Sequence, residues 1–321
     1  MKTNSRSKKA TPVTLADLGE DRLVALLTRN LASGPDVLVG AGDDCAVIGR
    51  PRAPYWQLLK TDAVIEGVHF LPEEDPRRVG WKALCRAISD IAAMGGTPDH
   101  ALITLAVSPD TPVARVQALY AGLQKAARRF GVALVGGETA RSPGPLFLNI
   151  ALTGWVERTH CVLRSGGKPG DALYVTGRLG GSIAGKHLDF CPRLEEARWL
   201  VSHFKPRAMM DLSDGLAADL PRLAAASRCG YFIDPALLPL AAGCTPAQAM
   251  SDGEDYELLF ALAPKLAARL ETAWERCFPR LPLTRIGHLL HRCLHGTADF
   301  SQSLESSLIL PPCHRGYDHF A

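Results

Sequence analysis

Apolar residues near the start of the chain recur at helical spacing. Thr14 is followed three residues later by Asp17, which is an N-cap signal, and the leucines after it predict one helix that runs to about Asn30. The stretch YWQLLKTDAVIEGVHF instead alternates and is rich in β-branched residues. It therefore predicts a strand that runs into a loop.

A second helix is predicted to begin at Pro76, because proline is favoured in the first helical turn. Its apolar residues form one face, and Gly95-Gly96 supplies the stop. Asp90 lies off this apolar face. Taken alone, such a position is typical of a solvated helix surface.

Strands and helices alternate through the rest of the first half. ALITLAV and VALVGG predict strands on either side of a helix that ends at Gly131, and LFLNIALTGWVE predicts a further strand. The order strand, helix, strand, helix, strand predicts an α/β (α+β layered) domain.

A glycine-rich, basic segment after Glu157 marks a predicted domain boundary. The second half begins with ALYVTG and contains a helix near Asp214, a strand at YELLFALA, a helix after Pro264 and short strands towards the end. The predicted organisation is a flexible tail at 1–13, an N-terminal domain at 14–158 and a C-terminal α/β domain at 159–321.

Composition excludes several classes of partner. The 321 residues include 36 basic and 33 acidic side chains, a net charge of +3, which gives no bulk attraction to nucleic acid or to an anionic membrane. The nine cysteines form no Cys-x-x-Cys pair, and the sequence shows neither a signal peptide nor a run of about 18 apolar residues. We therefore expect a cytoplasmic protein with reduced thiols.

Five short segments each place an acidic residue at the end of an apolar run, where a loop would bring it to one edge of a sheet. Mg²⁺ prefers carboxylate and hydroxyl oxygens and keeps several waters, so two or three carboxylates suffice for one ion. Such a set could hold several ions around a triphosphate. The segments are GDD (Asp43, Asp44), KTD (Thr61, Asp62), SDIAAMGG (Asp90), GGET (Glu138) and DLSDGLAADL (Asp211, Asp214).

Each of these segments also has a purely structural interpretation, because Gly-Asp-Asp is usually a turn and Ser-Asp-Gly is usually a helix cap. GGSIAGKH has the spacing of a P-loop, but His187 stands where a magnesium-binding Ser or Thr is needed. Its glycines are expected to serve a turn and a close helix contact. The group His288, His291, Cys293 and His295 matches no usual zinc spacing.

Taken together, the segments resemble the thiamine-monophosphate kinase family, within the superfamily of aminoimidazole ribonucleotide synthetase and selenophosphate synthetase. The resemblance covers about residues 14–320. It implies a two-domain aminoimidazole ribonucleotide synthetase-like fold, a homodimer formed through the N-terminal sheet, and ATP at the interface. The matching segments are GDDCAVI, TDAVIEGVHF, WKALCRAISDIAAMGGTP, VALVGGETAR, VLRSGGKPGDALYVTG, DLSDGLAADL, DGEDYELLF and GYDHF.

The resemblance also implies the reaction, a direct in-line transfer from ATP to thiamine monophosphate with Mg²⁺. The acceptor is a phosphate with a second pKa of about 6, so no general base is required. The implied metal ligands are Asp44, Lys60, Thr61, Asp62, Asp90, Glu138, Asp211 and Asp214, with Asp62, Asp90 and Asp214 as the catalytic ones. The implied ATP contacts are Tyr120, Gly137, Glu138, Arg164 and Ser213, and the implied contacts to the thiamine substrate are His69, Glu254 and Tyr317.

Four residues depart from the family pattern. Lys60 stands where many relatives have Ser, and its ammonium would repel an ion unless only its backbone carbonyl is a ligand. Glu138 replaces Asp, Ala87 replaces Asn, and Asp252 replaces the first Gly of GGED. Two other functions therefore stay open: another ATP-dependent synthetase of the superfamily, and a homologue that binds nucleotide or thiamine phosphate without turnover.

Overall fold

Two β-sheets, one in each half of the chain, form the frame of the molecule, which a computed structural model describes over residues 14–49, 52–292 and 317–319. The strands of the first sheet are β1 (Val37–Val39), β2 (Ala46–Ile48), β3 (Tyr55–Ile65), β4 (Thr97–Val107), β5 (Ala133–Arg141) and β6 (Phe147–Glu157). Their order is β1-β2-β3-β6-β4-β5, with β4 and β5 parallel and the other neighbours antiparallel. The strands predicted in the first half are confirmed.

The N-terminal helix is interrupted. It consists of α1 (Leu15–Leu18) and α2 (Glu20–Thr28), and the predicted capping box of Thr14 and Asp17 opens α1. Gly19 between them has φ of 76°, a left-handed conformation that cannot continue a right-handed helix. The prediction of one continuous helix was therefore wrong.

Two long helices pack on one face of the first sheet and on each other, α3 (Pro76–Ala93) and α4 (Val113–Phe130). Asp75 caps α3 through the backbone N–H of Arg77, Pro76 occupies its first turn, and Gly131 closes α4 in the left-handed conformation. Both helices were predicted: α3 begins at the predicted Pro76 and ends just before Gly95-Gly96, and α4 ends at the predicted Gly131 stop. Their apolar faces and the sheet enclose the core of this half.

The second sheet is antiparallel throughout its described pairs. Its strands are β7 (Ala172–Thr176), β8 (Ala208–Asp211), β9 (Cys229–Ile233), β10 (Leu258–Leu262) and β11 (Leu283–His291), in the order β8-β10-β7-β11-β9. β11 has nine residues, longer than the short strands expected, because it pairs with both β7 and β9. The helices of this half are α5 (Lys186–Asp189), α6 (Leu194–His203), α7 (Leu216–Ala226), α8 (Pro246–Ser251) and α9 (Ala267–Cys277).

Within the described residues, neither the P-loop-like segment GGSIAGKH nor the histidine group near the C-terminus forms a site of its own. Gly180 lies in a turn against α8, where a Cβ would be 2.9 Å from the backbone nitrogen of Ala249, so the expected turn and helix contact are confirmed. His288 and His291 belong to β11, while Cys293 and His295 lie outside the described residues, as does the predicted tail at 1–13. No helix within the described ranges has the length and hydropathy needed to cross a bilayer.

Candidate active site

Three aspartates from distant parts of the chain meet in a buried group, the acidic cluster of Asp44, Asp90 and Asp211. They come from the loop before β2, from the last turn of α3 and from the end of β8. One carboxylate oxygen of each lies within 4.8 Å of the others. Asp90 is only 7% exposed, because this face of α3 packs against β3 and β8. Its interpretation as a solvated residue was therefore wrong.

Two cations enter the acidic cluster. Lys60 on β3 places Nζ 2.7 Å from Oδ1 of Asp90, and Arg164 places Nη2 2.6 Å from Oδ1 of Asp44. Oδ2 of Asp44 is buried and has no hydrogen-bond partner among the described residues. An unpaired buried carboxylate oxygen is costly, so this atom has an unmet requirement for a positive ligand.

Burial and neighbouring charges shift the pKa values of the cluster residues. Burial raises the pKa of Asp211 to about 6, and the negative charge of Asp44 adds to this shift. Burial also raises the pKa of Asp90 well above its usual range, although Lys60 opposes the shift. For Lys60, burial acts to lower the pKa, but the Asp90 and Asp62 carboxylates outweigh burial and raise it. The cluster thus concentrates negative charge in a poorly solvated place.

The donor set of the cluster fits a hard divalent cation. Three carboxylates from separate segments, one of them with an orphaned oxygen, offer the oxygen ligands that Mg²⁺ prefers. A bound divalent charge would also reverse the burial penalty on these groups. Among the described residues, Asp44, Asp90 and Asp211 form a group that could hold Mg²⁺ together.

Thr61 and Glu138 lie away from the acidic cluster. Side chains alternate along β3, so Asp62 faces α3 and Thr61 faces the opposite side of the sheet. Thr61 donates a hydrogen bond to Oδ1 of Asn149 at 3.0 Å. Asn149 pairs across the sheet with Thr104, and Thr104 pairs with Glu138. The structure thus forms a polar row on the face opposite α3 and α4, which the described residues leave uncovered, instead of joining Thr61 and Glu138 to the cluster.

Gly137 and Tyr120 have structural roles that the sequence did not reveal. A Cβ on Gly137 would lie 1.8 Å from the carbonyl oxygen of Ile103, so only glycine fits between β5 and β4. The Tyr120 side chain packs against the core of the first half. Tyr120 is not among the described residues that line the pocket introduced in the next paragraph.

A pocket of about 450 Å³ of empty space, part of it open to solvent, collects residues from both halves of the chain. Five residues that the resemblance assigned to ligand or metal binding line it: His69, Ser213, Asp214, Glu254 and Tyr317. We call it the acceptor pocket. Its remaining wall residues are Val68, Arg86, Ile183, Asp252, Tyr256 and His319.

Aromatic and imidazole rings form one wall of the acceptor pocket. The ring centroids of His69 and His319 are 5.3 Å apart, and those of Tyr317 and His319 are 4.9 Å apart. The backbone N–H of Tyr317 donates to the carbonyl oxygen of Asp214 at 3.0 Å, which holds the C-terminal segment at the pocket. Such a wall suits a planar ring of a ligand.

His69 presents a defined hydrogen-bonding group to the pocket. The backbone N–H of Ile65 donates to its Nδ1 at 3.0 Å, so the neutral ring carries its proton on Nε2. Burial lowers the pKa of His69 to about 4, and the charge of Arg86 contributes in the same direction. At neutral pH the side chain is therefore an uncharged donor.

Glu254 is held as a buried anion. Nζ of Lys82, which is fully buried, lies 2.6 Å from its Oε2, and Nδ1 of His187 lies 3.0 Å from the same atom. Burial acts to raise the pKa of Glu254, but His187 and Lys82 outweigh burial and lower it to about 2. The backbone of Glu254 is left-handed, with φ of 52°. The carboxylate is thus fixed in position and charge.

Two cations on α3 that were not predicted from the sequence, Lys82 and Arg86, belong to the site. Arg86 lies 3.2 Å from Oδ1 of Asp62 and donates to the carbonyl oxygen of Ala63 at 3.2 Å. Its buried Nε has no partner in the described ranges, although the side chain is part of the acceptor pocket wall. Lys82, Arg86 and Asp90 are four residues apart, a spacing that places them on one helix face and could have revealed them.

Asp214 is engaged in an ion pair with Arg222. The backbone N–H groups of Ser213 and Asp214 both donate to Oδ2 of Asp219 at 3.0 Å, which fixes the loop after β8. Asp214 itself lies in the acceptor pocket wall, three residues beyond Asp211 of the acidic cluster.

Comparison with known proteins identifies the family. Residues 42–156 match the family model for AIR synthase related protein, N-terminal domain. The chain is 40% identical over 291 residues to the thiamine-monophosphate kinase of Rhodopirellula baltica, with 85% of this chain and 90% of the relative covered. The chain belongs to the thiamine-monophosphate kinase family. A further family member, from Escherichia coli K12, is 35% identical over 336 residues, with 94% of this chain and 98% of the relative covered.

A solved structure supports the same family at the level of the fold. AaThiL complexed with AMPPCP and TMP superposes with a TM-score of 0.76 at 31% identity, covering 88% of this chain and 94% of that chain. The mixed α/β fold with two sheets and the family resemblance predicted from the sequence are confirmed.

Proposed function

We propose that this chain is a thiamine-monophosphate kinase, which transfers the γ-phosphoryl group of ATP to thiamine monophosphate and forms ADP and thiamine diphosphate. Relatives with this name match nearly the whole chain. The structural relative was obtained with AMPPCP, an ATP analogue, and with TMP. Both substrates of the proposed reaction are therefore represented in one related complex.

The observation that carries the proposal is the short connection between the acidic cluster and the acceptor pocket. Asp211 ends β8 in the cluster, and Ser213 and Asp214 follow in the pocket wall. On α3, Asp90 belongs to the cluster and Arg86 to the pocket. Phosphoryl transfer needs charge neutralisation beside a positioned acceptor, and this arrangement provides both.

The residues of the acceptor pocket can bind the thiamine moiety of the acceptor. The rings of His69, Tyr317 and His319 offer a surface for its planar heterocycles, and Nε2 of His69 offers a donor. Glu254 offers a fixed carboxylate for a cationic or N–H-bearing part of the ligand. These contacts position the acceptor and also exclude water from its ring face.

The acidic cluster and its cations serve the phosphate groups. Mg²⁺ held by Asp44, Asp90 and Asp211 would supply Lewis-acid neutralisation of the phosphate oxygens. Arg86, whose buried Nε has no partner among the described residues, adds positive charge to the pocket wall beside Asp62. The terminal phosphate of the acceptor is largely ionised at neutral pH, so none of these residues has to act as a general base.

The remaining site assignments are also proposals. We propose Arg164 and Ser213 as ATP contacts because Arg164 lies at the cluster and Ser213 at the pocket. Gly137, Glu138 and Tyr120 are proposed as ATP contacts on the resemblance alone. The domain boundary near residue 158 and a cytoplasmic location are likewise proposals, which rest on the sequence.

A homodimer through the first sheet is supported by the uncovered sheet face. Leu59 on β3 and Leu102 on β4 are 40% and 49% exposed on the face opposite α3 and α4. Thr61 and Glu138, two of the implied ligands, lie on this same face. A second copy that covered it would bury the leucines and approach both polar residues.

The experiment that tests the function uses ATP labelled in its γ-phosphoryl group, with thiamine monophosphate, thiamine or an aminoimidazole-type ribonucleotide as acceptor. We expect the labelled phosphoryl group to appear only in thiamine diphosphate, in the reaction with thiamine monophosphate. Label transfer that requires the ribonucleotide would favour another synthetase of the superfamily. Bound ATP with no transfer to any acceptor would favour a homologue without turnover.

A further inference from the structure

We propose that Lys60 is a built-in cation of the acidic cluster, which takes the place of a second divalent ion. The inference rests on the proposed function in one respect: the cluster is taken as the divalent-ion site of the reaction. It concerns how many ions the cluster holds, which is measurable without turnover.

The hydrogen bonds of the cluster divide its carboxylate oxygens into two sets. Lys60 binds Oδ1 of Asp90 at 2.7 Å, and Arg164 binds Oδ1 of Asp44 at 2.6 Å. Ser89 donates to Oδ2 of Asp211 at 2.6 Å. Each carboxylate thus has one oxygen engaged by a protein donor and one oxygen outside these bonds.

The three carboxylates together suit one ion. Asp44, Asp90 and Asp211 each contribute an oxygen within 4.8 Å of the other two, and Oδ2 of Asp44 is buried without a donor among the described residues. Three such oxygens plus water complete a magnesium shell. For two ions to share the cluster, carboxylates would have to bridge through both oxygens. The Lys60 ammonium already binds Oδ1 of Asp90, which such a bridge would need.

Strand β3 fixes Lys60 in this position. The residue pairs with Leu152 of β6 and directly follows Leu59, which pairs with Ala46 of β2, so its backbone is held at the end of the β2 ladder. Its side chain is 23% exposed and is directed to Asp90 on the face that α3 covers. The ammonium, rather than the backbone carbonyl alone, is therefore the group that Lys60 contributes to the cluster.

A positive side chain at this place has a direct consequence for metal binding. Like charges a few ångströms apart in a poorly solvated site repel strongly, so the ammonium disfavours an ion on the Lys60 side of Asp90. It also supplies part of the positive charge that this ion would bring. We infer one divalent ion at the cluster of the wild-type protein, in addition to ions carried by the ATP phosphates.

The test is the number of Mn²⁺ ions bound per chain, counted by electron paramagnetic resonance with a non-hydrolysable ATP analogue at saturation. Lys60→Met removes the charge and keeps the length of the side chain. We expect this variant to bind one more Mn²⁺ per chain than the wild type. Lys60→Arg retains a positive charge and should keep the wild-type number. Equal numbers in wild type and Lys60→Met would overturn the inference.

Two further variants keep the test decisive. Lys125 is exposed on α4 and contacts the Trp81 ring, so Lys125→Met removes the same charge away from the cluster. An extra ion in Lys125→Met as well would show a bulk charge effect and overturn the inference.

If Lys60→Met does not fold, as judged by its melting temperature, Lys60→Gln provides the same comparison. A wild type that binds Mn²⁺ as predicted but makes no thiamine diphosphate would sink the proposed function and leave this inference standing.

Discussion

The buried ammonium of Lys82 lies 2.6 Å from Oε2 of Glu254, which joins α3 of the first half to the acceptor pocket residue of the second. Lys82 also donates to the carbonyl oxygen of His69 at 2.5 Å and contacts Nδ1 of His187 at 2.8 Å. Two of its three N–H donors bond to the His69 carbonyl and the Glu254 carboxylate, and Nδ1 of His187 lies beside both Nζ of Lys82 and Oε2 of Glu254. One side chain therefore positions two walls of the pocket.

Glu254→Gln should weaken acceptor binding. The change removes the fixed negative charge while keeping the size of the side chain, and hydrogen bonds to charged groups contribute about 1.5–3 kcal/mol. We expect the KM for thiamine monophosphate to rise about 10- to 100-fold, with a smaller change in the KM for ATP. Steady-state kinetics with each substrate varied measures this split. Glu271→Gln, which alters the partner of the Tyr174 hydroxyl in the second half, is the control and should leave both constants unchanged.

His69 should make stability depend on pH between about 4 and 6.5. The unfolded chain binds a proton on this residue near the usual value of 6.5, whereas the folded chain binds it only near pH 4. The unfolded state therefore takes up more protons in this window, and the free energy of unfolding falls as the pH is lowered through it.

His69→Asn isolates this contribution, because the Asn carbonyl can accept from the Ile65 N–H without titrating. Urea unfolding of both proteins across the window should show a smaller loss in the variant. Parallel curves would mean that His69 has the same pKa in the folded and unfolded chains.

Asp90→Asn should abolish most of the turnover while the fold persists. The substitution removes a ligand charge from the acidic cluster and leaves Lys60 without its anionic partner. We expect kcat to fall by about 100-fold or more, a loss of about 3 kcal/mol of transition-state stabilisation. Asp189→Asn, in an exposed ion pair with Arg78, is the matched control. A near-wild-type kcat in Asp90→Asn would remove this residue from the catalytic set.

Gly137→Ala should destabilise the first sheet. The new Cβ would lie 1.8 Å from the carbonyl oxygen of Ile103, so β5 must shift away from β4. Overpacking of this kind costs about 1–3 kcal/mol, which thermal or urea unfolding measures. Gly144→Ala meets nothing within 4 Å and should leave stability unchanged. Equal stability of the two variants would contradict the packing described for β5.

Leu102→Asp should prevent dimer formation if the uncovered face of the first sheet is the interface. A buried unpaired carboxylate opposes association strongly, whereas the same residue on a free surface is tolerated. Light scattering after gel filtration should give a dimer for the wild type and a monomer for the variant. Val113→Asp places the same charge at an exposed position on α4 and should remain dimeric. A dimeric Leu102→Asp would place the interface elsewhere.

Local sequence signals predicted the elements of the first half closely. Proline at position 76 and the glycines at 95 and 131 act within one helical turn, so the bounds of α3 and α4 follow from the sequence. The left-handed backbone of Gly19 was missed, because leucine spacing alone continues across it. Periodicity does not report a single backbone angle.

The site was only partly predictable for a different reason. Strand alternation separates Thr61 from Lys60 and Asp62, although all three belong to one motif. Burial of Asp90 depends on β3 and β8 packing on the same face of α3, and β8 is more than 100 residues away in sequence. Tertiary packing decides such features, and the resemblance, rather than local pattern, joined the segments into one site.

The central claim is that this chain makes thiamine diphosphate by direct transfer from ATP. The most direct measurement incubates the purified protein with Mg²⁺, ATP and thiamine monophosphate and quantifies ADP and thiamine diphosphate by chromatography. We expect both to form in equal amounts and removal of Mg²⁺ to stop both. ADP without thiamine diphosphate, or neither product under conditions where a family member is active, would contradict it.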